Sequence, residues 1–324
     1  AIVSRMTGAR DYPQAQHGLH QAAMLGLLAG TISCGLLFTC SDFMVTHVLT
    51  MNETARAYAL QYVYMAAFAA PFSGVVFAIN AALRGSGDTR LPFWIMMSVG
   101  ILNVIFSVIF VFADAPLGGW RIGGIAAGTV CGYGISMCIL LFIMLRRRKK
   151  IFTGRKNESL EELVRERGEH YAPPLYLSFS HLRPDMGMQK RILKIGLPQA
   201  VEVFGMWGIQ MFCLSIISEL PVKGVLGVHN IAVRIESLSF LPGFAIGMAA
   251  STLVGQYLGA RNALMARITI WKCMRYAVIF MTGLGVLFSA FPALFMEIFS
   301  NGSTTLIDTG IPVLRTMLIG RAHV

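Results

Sequence analysis

Long runs of mostly apolar residues constrain the fold of this chain more than any other feature. Four uncharged runs come first and three later runs contain a few ionisable residues: Leu19–Ser41, Ala57–Leu83, Leu91–Ala113, Ile122–Leu145, Ile195–Ser218, Val225–Leu258 and Tyr276–Phe299. Each run is long enough to cross about 30 Å of hydrocarbon as a helix. Because 55% of the residues are hydrophobic and only 13% are charged, the sequence predicts an all-α, multi-pass membrane protein.

A repeated triplet indicates that the chain contains two copies of one unit. Gly8-Ala9-Arg10 returns as Gly259-Ala260-Arg261, and each triplet precedes a new apolar span. Six predicted crossings lie between the triplets, and because six is even, both copies start on the same side of the membrane. The prediction is therefore a parallel repeat related by an axis along the membrane normal, an arrangement found in secondary transporters.

The positive charge is concentrated in one segment. Of the 27 Lys and Arg residues, 13 lie between Arg146 and Lys194, and the segment opens with Arg146-Arg147-Arg148-Lys149-Lys150. Loops rich in Lys and Arg stay on the cytoplasmic side, so we expect a protein of the inner (plasma) membrane with a cytoplasmic linker at residues 146–193. A nucleic-acid site would need aromatic residues among the basic ones on a soluble domain, which this sequence lacks, so we expect no nucleic-acid partner.

Residues 151–189 form the most polar stretch of the chain, with Pro173-Pro174 and the short amphipathic run Ser159–Arg165. We expect a linker between the two halves, solvated and close to the lipid headgroups.

The cysteines and histidines show no pattern that is typical of a metal site or a catalytic site. Five of the six cysteines lie within these apolar runs and Cys273 lies just before the last one; they form no CxxC pair, and the seven histidines are scattered. We therefore predict no metal site, no cofactor and no catalytic residue, and we expect that the protein is not an enzyme.

A short turn between two predicted spans carries the most specific motif. Residues Ala82–Pro92 contain Arg84-Gly85-Ser86-Gly87-Asp88-Thr89, in which two glycines permit positive backbone angles and Asp88 or Thr89 is expected to cap the helix that Pro92 opens. This turn resembles the Arg-Gly-x-Gly-Asp-Thr turn of the multidrug and toxic compound extrusion (MATE) family.

Two further stretches resemble the same family: Arg234–Phe244 followed by Gly255–Ala260, and Ile195–Glu202. The resemblance covers almost the whole chain. It implies two pseudo-symmetric six-helix lobes with a central cavity that alternates between the two sides. On that pattern residues 1–145 are an incomplete amino-terminal lobe, and residues 194–324 are an incomplete carboxyl-terminal lobe. We expect a chain truncated at both ends, with seven complete crossings.

Three charged residues lie inside the first two of the later spans. Glu202 lies about two turns into the membrane, where a carboxylate usually marks a substrate or ion pathway, although a structural hydrogen bond is the alternative. Arg234 and Glu236 are two residues apart and point in different directions on one helix. We predict that Glu202, Glu236 and Arg234 contribute to the site, with a structural pairing of Arg234 and Glu202 as the alternative.

Asn103 and Thr129 lie in the middle of two consecutive spans, and both carry oxygen atoms that suit a small cation. Some prokaryotic members of the resembled family build a cation site from an Asn, an Asp one turn later, a Thr on the next helix and an Asp on the first helix. Asn103 and Thr129 match that pattern, whereas Ser107 replaces the first Asp. The alternative role is an interhelical hydrogen bond.

The resemblance implies an antiporter that exports cationic or amphipathic small molecules in exchange for Na⁺ or H⁺. We expect a monomer in the lipid bilayer. The alternative is a lipid-linked oligosaccharide flippase of a related two-lobed fold, which should place several basic residues in the cavity; in this sequence only Arg234 is available for that role.

Overall fold

A computed structural model of the chain describes residues 1–48, 53–113, 118–151, 174–178, 183–220, 225–300 and 310–314. Ten α-helices occupy most of these residues: α1 Ile2–Gly8, α2 Tyr12–Phe43, α3 Glu53–Ala67, α4 Ala69–Ser86, α5 Arg90–Phe112, α6 Arg121–Ile151, α7 Met186–Ser218, α8 Val225–Gly259, α9 Ala263–Ala290 and α10 Pro292–Ser300. A π-helical turn, Met44–Val48, extends α2.

Six of these helices are long and apolar enough to cross a membrane: α2, α5, α6, α7, α8 and α9. Helices α3 and α4 meet at a 47° bend and make a seventh crossing if they form one broken span. Large apolar side chains such as Phe112 and Phe204 are about 80% exposed, as expected for surfaces that face lipid. These features confirm the prediction of an all-α, multi-pass membrane protein.

The bend between α3 and α4 has a local cause. Pro71 has no N–H group and its ring collides with the carbonyl four residues earlier, which belongs to Ala67. Helix α3 ends at Ala67, and the N–H of Phe68 donates to the carbonyl of Met65 at 3.3 Å. Pro71 therefore accounts for the bend between α3 and α4. Pro242 behaves differently, because α8 runs without a break through it.

The described chain divides into two compact units. The first comprises Ala1–Ile192 and Gly255–Arg261, and the second comprises Leu193–Val254 and Asn262–Val324. The predicted lobes assign Gly255–Arg261 to the second half of the chain, whereas the packing groups it with the first unit.

The repeat is visible in the backbone. Arg10 and Arg261 adopt positive φ angles of 59° and 56°. The next residue caps a long helix in both copies: the side chain of Asp11 accepts from the N–H of Gln14 at 3.1 Å, and that of Asn262 accepts from the N–H of Met265 at 3.0 Å. Helices α2 and α9 thus begin at equivalent positions with the same capping geometry, which supports the predicted duplication.

Glycines set the spacing of the first unit's central helices. A Cβ atom on Gly30 of α2 would lie 2.7 Å from the Cα atom of Pro71, and one on Gly26 would lie 2.8 Å from the Cβ atom of Ala78. Such distances are shorter than van der Waals contact, so only glycine allows α2 and α4 to pack this closely. The apolar core of this unit contains Leu19, Val76, Ile79, Leu83, Ile95, Leu140 and Met144.

The two Gly-Ala-Arg triplets also pack closely, and this contact lies within the first unit. A Cβ atom on Gly8 would lie 2.6 Å from the backbone of Gln256, and one on Gly259 would lie 2.8 Å from the backbone nitrogen of Ala9. The side chain of Gln256 donates to the carbonyl of Gly85 at 3.1 Å. The turn that contains Gly85 and the segment that carries the second triplet are therefore in direct contact.

The turn itself differs in detail from the prediction. Gly87 alone adopts a positive φ angle, 94°, and ends α4, while the N–H of Asp88 donates to the carbonyl of Leu83. Helix α5 begins at Arg90, and its cap is Asp88, which accepts from the N–H of Leu91 at 3.2 Å. Asp88 also accepts from Arg147 at 2.7 Å, so the turn is tied to the basic end of α6.

Part of the predicted linker is buried. Helix α6 continues to Ile151, and the run Ser159–Arg165 lies outside the described residues. We call residues 174–178 and 183–185 the strap. Its residues 175–178 are buried, so the expectation of a solvated stretch is wrong for them. Leu175 and Leu177 pack against the apolar core, and this removes their side chains from water.

Polar side chains on the first turns of α2 hold the strap. Gln16 both donates to the carbonyl of Tyr176 and accepts from its N–H, the latter at 3.1 Å. His20 accepts from the N–H of Ser178 at 3.0 Å, and Gln21 accepts from the N–H of Asp185 at 3.0 Å. Burial raises the pKa of Tyr176, and the charge of Arg148 opposes that shift by a smaller amount. The strap thus forms the hydrogen bonds that water would otherwise form with the polar face of α2.

The second unit has a smaller described core. Ala232 and Ile235 of α8 pack with Phe288 of α9, Met296 of α10 and Leu314. Phe288 and Phe295 add an edge-to-face aromatic contact with ring centroids 4.6 Å apart.

Candidate functional site

The crossing of α5 and α6 contains the candidate residues of the first unit. Three glycines spaced by four residues on α6 contact α5: a Cβ atom would lie 2.9 Å from Phe110 at Gly124, 2.6 Å from the nitrogen of Ser107 at Gly128, and 3.0 Å from the oxygen of Val99 at Gly132. These three glycines therefore form the face of α6 that packs closely against α5.

This close packing brings Asn103 and Thr129 together. The Nδ2 atom of Asn103 donates to the Oγ1 atom of Thr129 at 2.7 Å, and Thr129 in turn donates to the carbonyl of Ile125 at 3.2 Å. Both side chains are half-buried. The Oδ1 atom of Asn103 and the lone pairs of Thr129 are neutral oxygen ligands of the type that small hard cations accept.

Two further polar contacts flank this pair along the same crossing. Ser98 and Ser136 share a hydrogen bond of 2.8 Å, with Ser136 fully buried, and the hydroxyl of Ser107 donates to the carbonyl of Ile125 at 3.3 Å. Ser107 stands where the resembled cation site has an Asp. Helices α5 and α6 contain no Asp or Glu, so the Asn103–Thr129 pair supplies oxygen atoms without a negative charge.

One polar residue of the first unit escaped the sequence analysis. Asn80 of α4 is fully buried, and within the described part of the chain neither its Nδ2 nor its Oδ1 atom has a hydrogen-bond partner. A buried amide without partners is costly, and such groups in native proteins often bind water or a ligand. The available signal was its position as the only amide in the apolar run from Val75 to Leu83.

In the second unit the candidate residues lie apart from that unit's core. Glu202 of α7 is exposed and accepts from the side chain of Gln199 at 3.0 Å. On α8, Ile235 points into the core, Arg234 is exposed and Glu236 is half-buried. Over the residues that the structure covers, Arg234 and Glu202 form no ion pair, so the described contacts give no support to a structural pairing between them.

Metal-binding chemistry does not emerge from the described side chains. Among them no group of three or more His, Cys, Asp and Glu residues converges as a metal site would require. The six cysteines are free thiols. The first unit therefore offers neutral oxygens between packed helices, and the second offers charged side chains on membrane helices.

A duplicated helical unit with polar groups between membrane helices is a pattern found in membrane transporters. The comparisons with known proteins identify the family. The MatE family model matches residues 1–109 and 198–321, so the chain belongs to the MatE family, the multidrug and toxic compound extrusion transporters. This is a family of transporters and not of enzymes.

Individual relatives agree with this assignment. The chain is 25% identical over 293 residues to the probable multidrug resistance protein NorM of Thermotoga maritima, covering 90% of this chain and 57% of that protein. It is 21% identical over 301 residues to a FAD transporter of Shewanella oneidensis, covering 92% of this chain and 60% of that protein. The chain thus spans somewhat more than half the length of these relatives.

A solved structure shows the same fold. The crystal structure of a MATE protein in complex with MaL6 superposes with a TM-score of 0.80 at 19% sequence identity, over 99% of this chain and 66% of that one. This similarity confirms the helical architecture that the sequence predicted.

Proposed function

We propose that this protein is a secondary antiporter that exports small organic molecules in exchange for Na⁺ or H⁺. Membership of the MatE family supports transport, and the hydrogen-bonded Asn103–Thr129 pair between α5 and α6 is the observation that carries the proposed coupling site. The pair is neutral, so it provides oxygen ligands for a cation while a counter-charge comes from another group.

The proposed substrates are cationic or amphipathic small molecules. The relative named a multidrug resistance protein supports this class, whereas the relative named a FAD transporter supports a larger, anionic substrate. We propose that Glu202 and Glu236 attract a cationic substrate or exchange a proton. Arg234 suits an anionic substrate. Both substrate types therefore belong in the test.

The proposed orientation places the basic carboxyl-terminal end of α6, from Arg146 to Lys150, in the cytoplasm of a cell whose inner membrane holds the protein. We propose that the protein works as a monomer.

The test is efflux from membrane vesicles that contain the protein. Vesicles are loaded with a fluorescent organic cation or with FAD, and a Na⁺ gradient or a pH gradient is imposed separately. Thr129→Val keeps the side-chain shape but removes the hydroxyl, so we expect cation-dependent efflux to fall at least about tenfold, because an ordered site loses one ligand and one hydrogen bond. Glu202→Gln should reduce efflux of the organic cation but not of FAD.

Ser136→Ala is the matched control. It removes the hydrogen bond between Ser98 and Ser136 at the same helix crossing, at a cost of about 0.6 kcal/mol, without touching the Asn103–Thr129 pair. Transport should therefore be unchanged in this variant. Equal efflux from Thr129→Val and Ser136→Ala vesicles would show that the Asn103–Thr129 pair is structural only.

A further inference from the structure

One face of α9 carries an unusual combination of side chains for a membrane helix. Its residues recur every three or four positions and line a shallow groove of about 410 Å³: Leu264, Arg267, Ile268, Trp271, Lys272 and Arg275. We call these six residues the basic face of α9. Its aromatic and basic members are exposed, with Trp271 at 58%.

Within the described ranges the basic side chains of this face have no acidic neighbour. Helix α9 contains three basic residues and no acidic one. Where the structure describes the chain, neither an ion pair nor a hydrogen bond engages the side chains of Arg267, Lys272 or Arg275. Charge on a helix that crosses hydrocarbon is unfavourable without a counter-charge, so an anionic ligand would stabilise this face.

The duplication shows what kind of surface this is. The equivalent capping and starting positions of α2 and α9 place the basic face at the same register as Gln16, His17, His20 and Gln21 of α2. In the first unit this face of α2 binds the backbone of the strap. In one copy of the repeat this face therefore binds an extended segment of the same chain.

The chemistry of the two copies differs in a way that selects the ligand. Gln16 donates and accepts at once, which matches a peptide backbone with its N–H and C=O groups. Arg and Lys only donate, so the basic face cannot satisfy backbone N–H groups. It matches a negatively charged ligand whose polar atoms are all acceptors, which is the character of a phosphodiester.

The depth of the face fits the headgroup of a lipid. Helix α9 has 28 residues, about 42 Å, which exceeds the hydrocarbon thickness of about 30 Å. The basic face occupies the first half of the helix, where Arg and Lys stems reach toward the headgroups and an indole ring favours the interface. Leu264 and Ile268 supply apolar contacts for the glycerol and upper acyl region.

We propose that the basic face of α9 is a binding site for the phosphate headgroup of an anionic phospholipid. The proposed orientation of the protein would place this site in the cytoplasmic leaflet, and lipid binding itself does not depend on transport activity. Anionic lipids are concentrated on the cytoplasmic side of membranes, where basic pockets at helix ends recognise their headgroups.

The experiment titrates purified protein in neutral detergent with phosphatidylglycerol or phosphatidylcholine and counts bound lipid by native mass spectrometry. A variant carrying Arg267→Gln, Lys272→Gln and Arg275→Gln should bind phosphatidylglycerol at least about tenfold more weakly, because each basic residue contributes attraction to an anionic headgroup. Phosphatidylcholine binding should not change. The double variant Arg267→Lys with Arg275→Lys keeps the charge and should retain phosphatidylglycerol binding.

A matched control changes the same charge elsewhere. Lys190, Arg191 and Lys194 are exposed in the first turns of α7, and their replacement by Gln should alter phosphatidylglycerol binding by less than about twofold. Equal weakening in both triple variants would mean diffuse attraction to net charge and would overturn the proposal. Circular dichroism establishes that each variant remains folded, and a variant that unfolds is replaced by Arg275→Gln alone.

Two further outcomes discriminate the ligand class. Phosphatidylglycerol with brominated acyl chains should quench the fluorescence of Trp271. The extent of quenching should therefore fall in Trp271→Phe and not in Trp207→Phe. A soluble peptide of ten glutamates tests the competing occupant. If that peptide binds the native chain but not the α9 triple variant, and phosphatidylglycerol does not distinguish the two, the basic face is a peptide site and the lipid proposal is wrong.

Discussion

Gly128→Ala is the substitution whose effect the structure predicts most directly. The added Cβ atom would lie 2.6 Å from the backbone nitrogen of Ser107 and 2.9 Å from its Cα atom. The hydroxyl of Ser107 can rotate away, but the backbone of α5 cannot. To reach ordinary contact at 3.4 Å, the two helices must separate by about 0.8 Å.

The separation has a cost that can be estimated. Overpacking of this kind typically costs about 1–3 kcal/mol, while the gain in helix propensity from Gly to Ala returns at most about 1 kcal/mol. The hydrogen bond between Asn103 and Thr129 would stretch from 2.7 Å toward 3.5 Å, the limit for such a bond, and lose about 0.6 kcal/mol. We expect a net loss of about 1–2 kcal/mol.

Gly134→Ala on the same helix is the control. Its Cβ atom would lie 3.8 Å from the ring of Phe72, an ordinary contact, so the higher helix propensity of Ala should leave stability unchanged or raise it by up to about 1 kcal/mol. The assay heats detergent-solubilised protein and measures the monodisperse fraction by size-exclusion chromatography. Identical midpoints for the two variants would refute the reasoning that glycine is required at the α5–α6 crossing.

Two more predictions follow from the strap. Gln16→Leu removes both hydrogen bonds between the Gln16 side chain and the backbone of Tyr176, at a cost of about 1–3 kcal/mol. Hydrogen exchange at Tyr176 and Ser178 should therefore accelerate, whereas Gln14→Leu at an exposed position of α2 should not change it. A hydrogen bond from His17, with backbone N–H bonds from Gly187 and Met188, lowers the pKa of Asp185 below its ordinary value of 3.8. A lowered pKa in the folded state stabilises the folded protein at pH values above the unfolded-state pKa. This stability is lost as the pH falls through the folded-state pKa. The melting midpoint of Asp185→Asn should therefore depend less on pH below about pH 4 than that of the native chain.

Periodic and local patterns in the sequence predicted most of the fold. The apolar runs predicted the membrane helices because crossing a bilayer imposes a length and a composition that no soluble helix shares. The spacing of Gly124, Gly128 and Gly132 is a sequence signal for close helix contact, because residues four apart share one helix face. Pro71 is a sequence signal for a bend, because its effect reaches only one turn back along the chain.

Contacts between distant parts of the chain were beyond such reasoning. The strap binds α2 through residues that are about 160 positions apart, and no periodicity links Gln16 to Tyr176. The pairing of Asp88 with Arg147 likewise depends on how α5 and α6 meet. The assignment of Asn103 and Thr129 to one site could be anticipated only through a family pattern, whereas the hydrogen bond between them is a product of helix packing.

At the candidate site, packing and polar chemistry depend on the same residues. The glycines of α6 bring Thr129 within hydrogen-bond distance of Asn103, so a substitution that separates the helices also changes the proposed ion ligands. Loss of transport in Gly128→Ala would therefore not distinguish a structural role from ion binding. Thr129→Val removes a proposed ion ligand without adding volume, and Ser136→Ala removes a hydrogen bond without removing a ligand. Only lost efflux in Thr129→Val together with retained efflux in Ser136→Ala assigns the oxygens of Asn103 and Thr129 to transport.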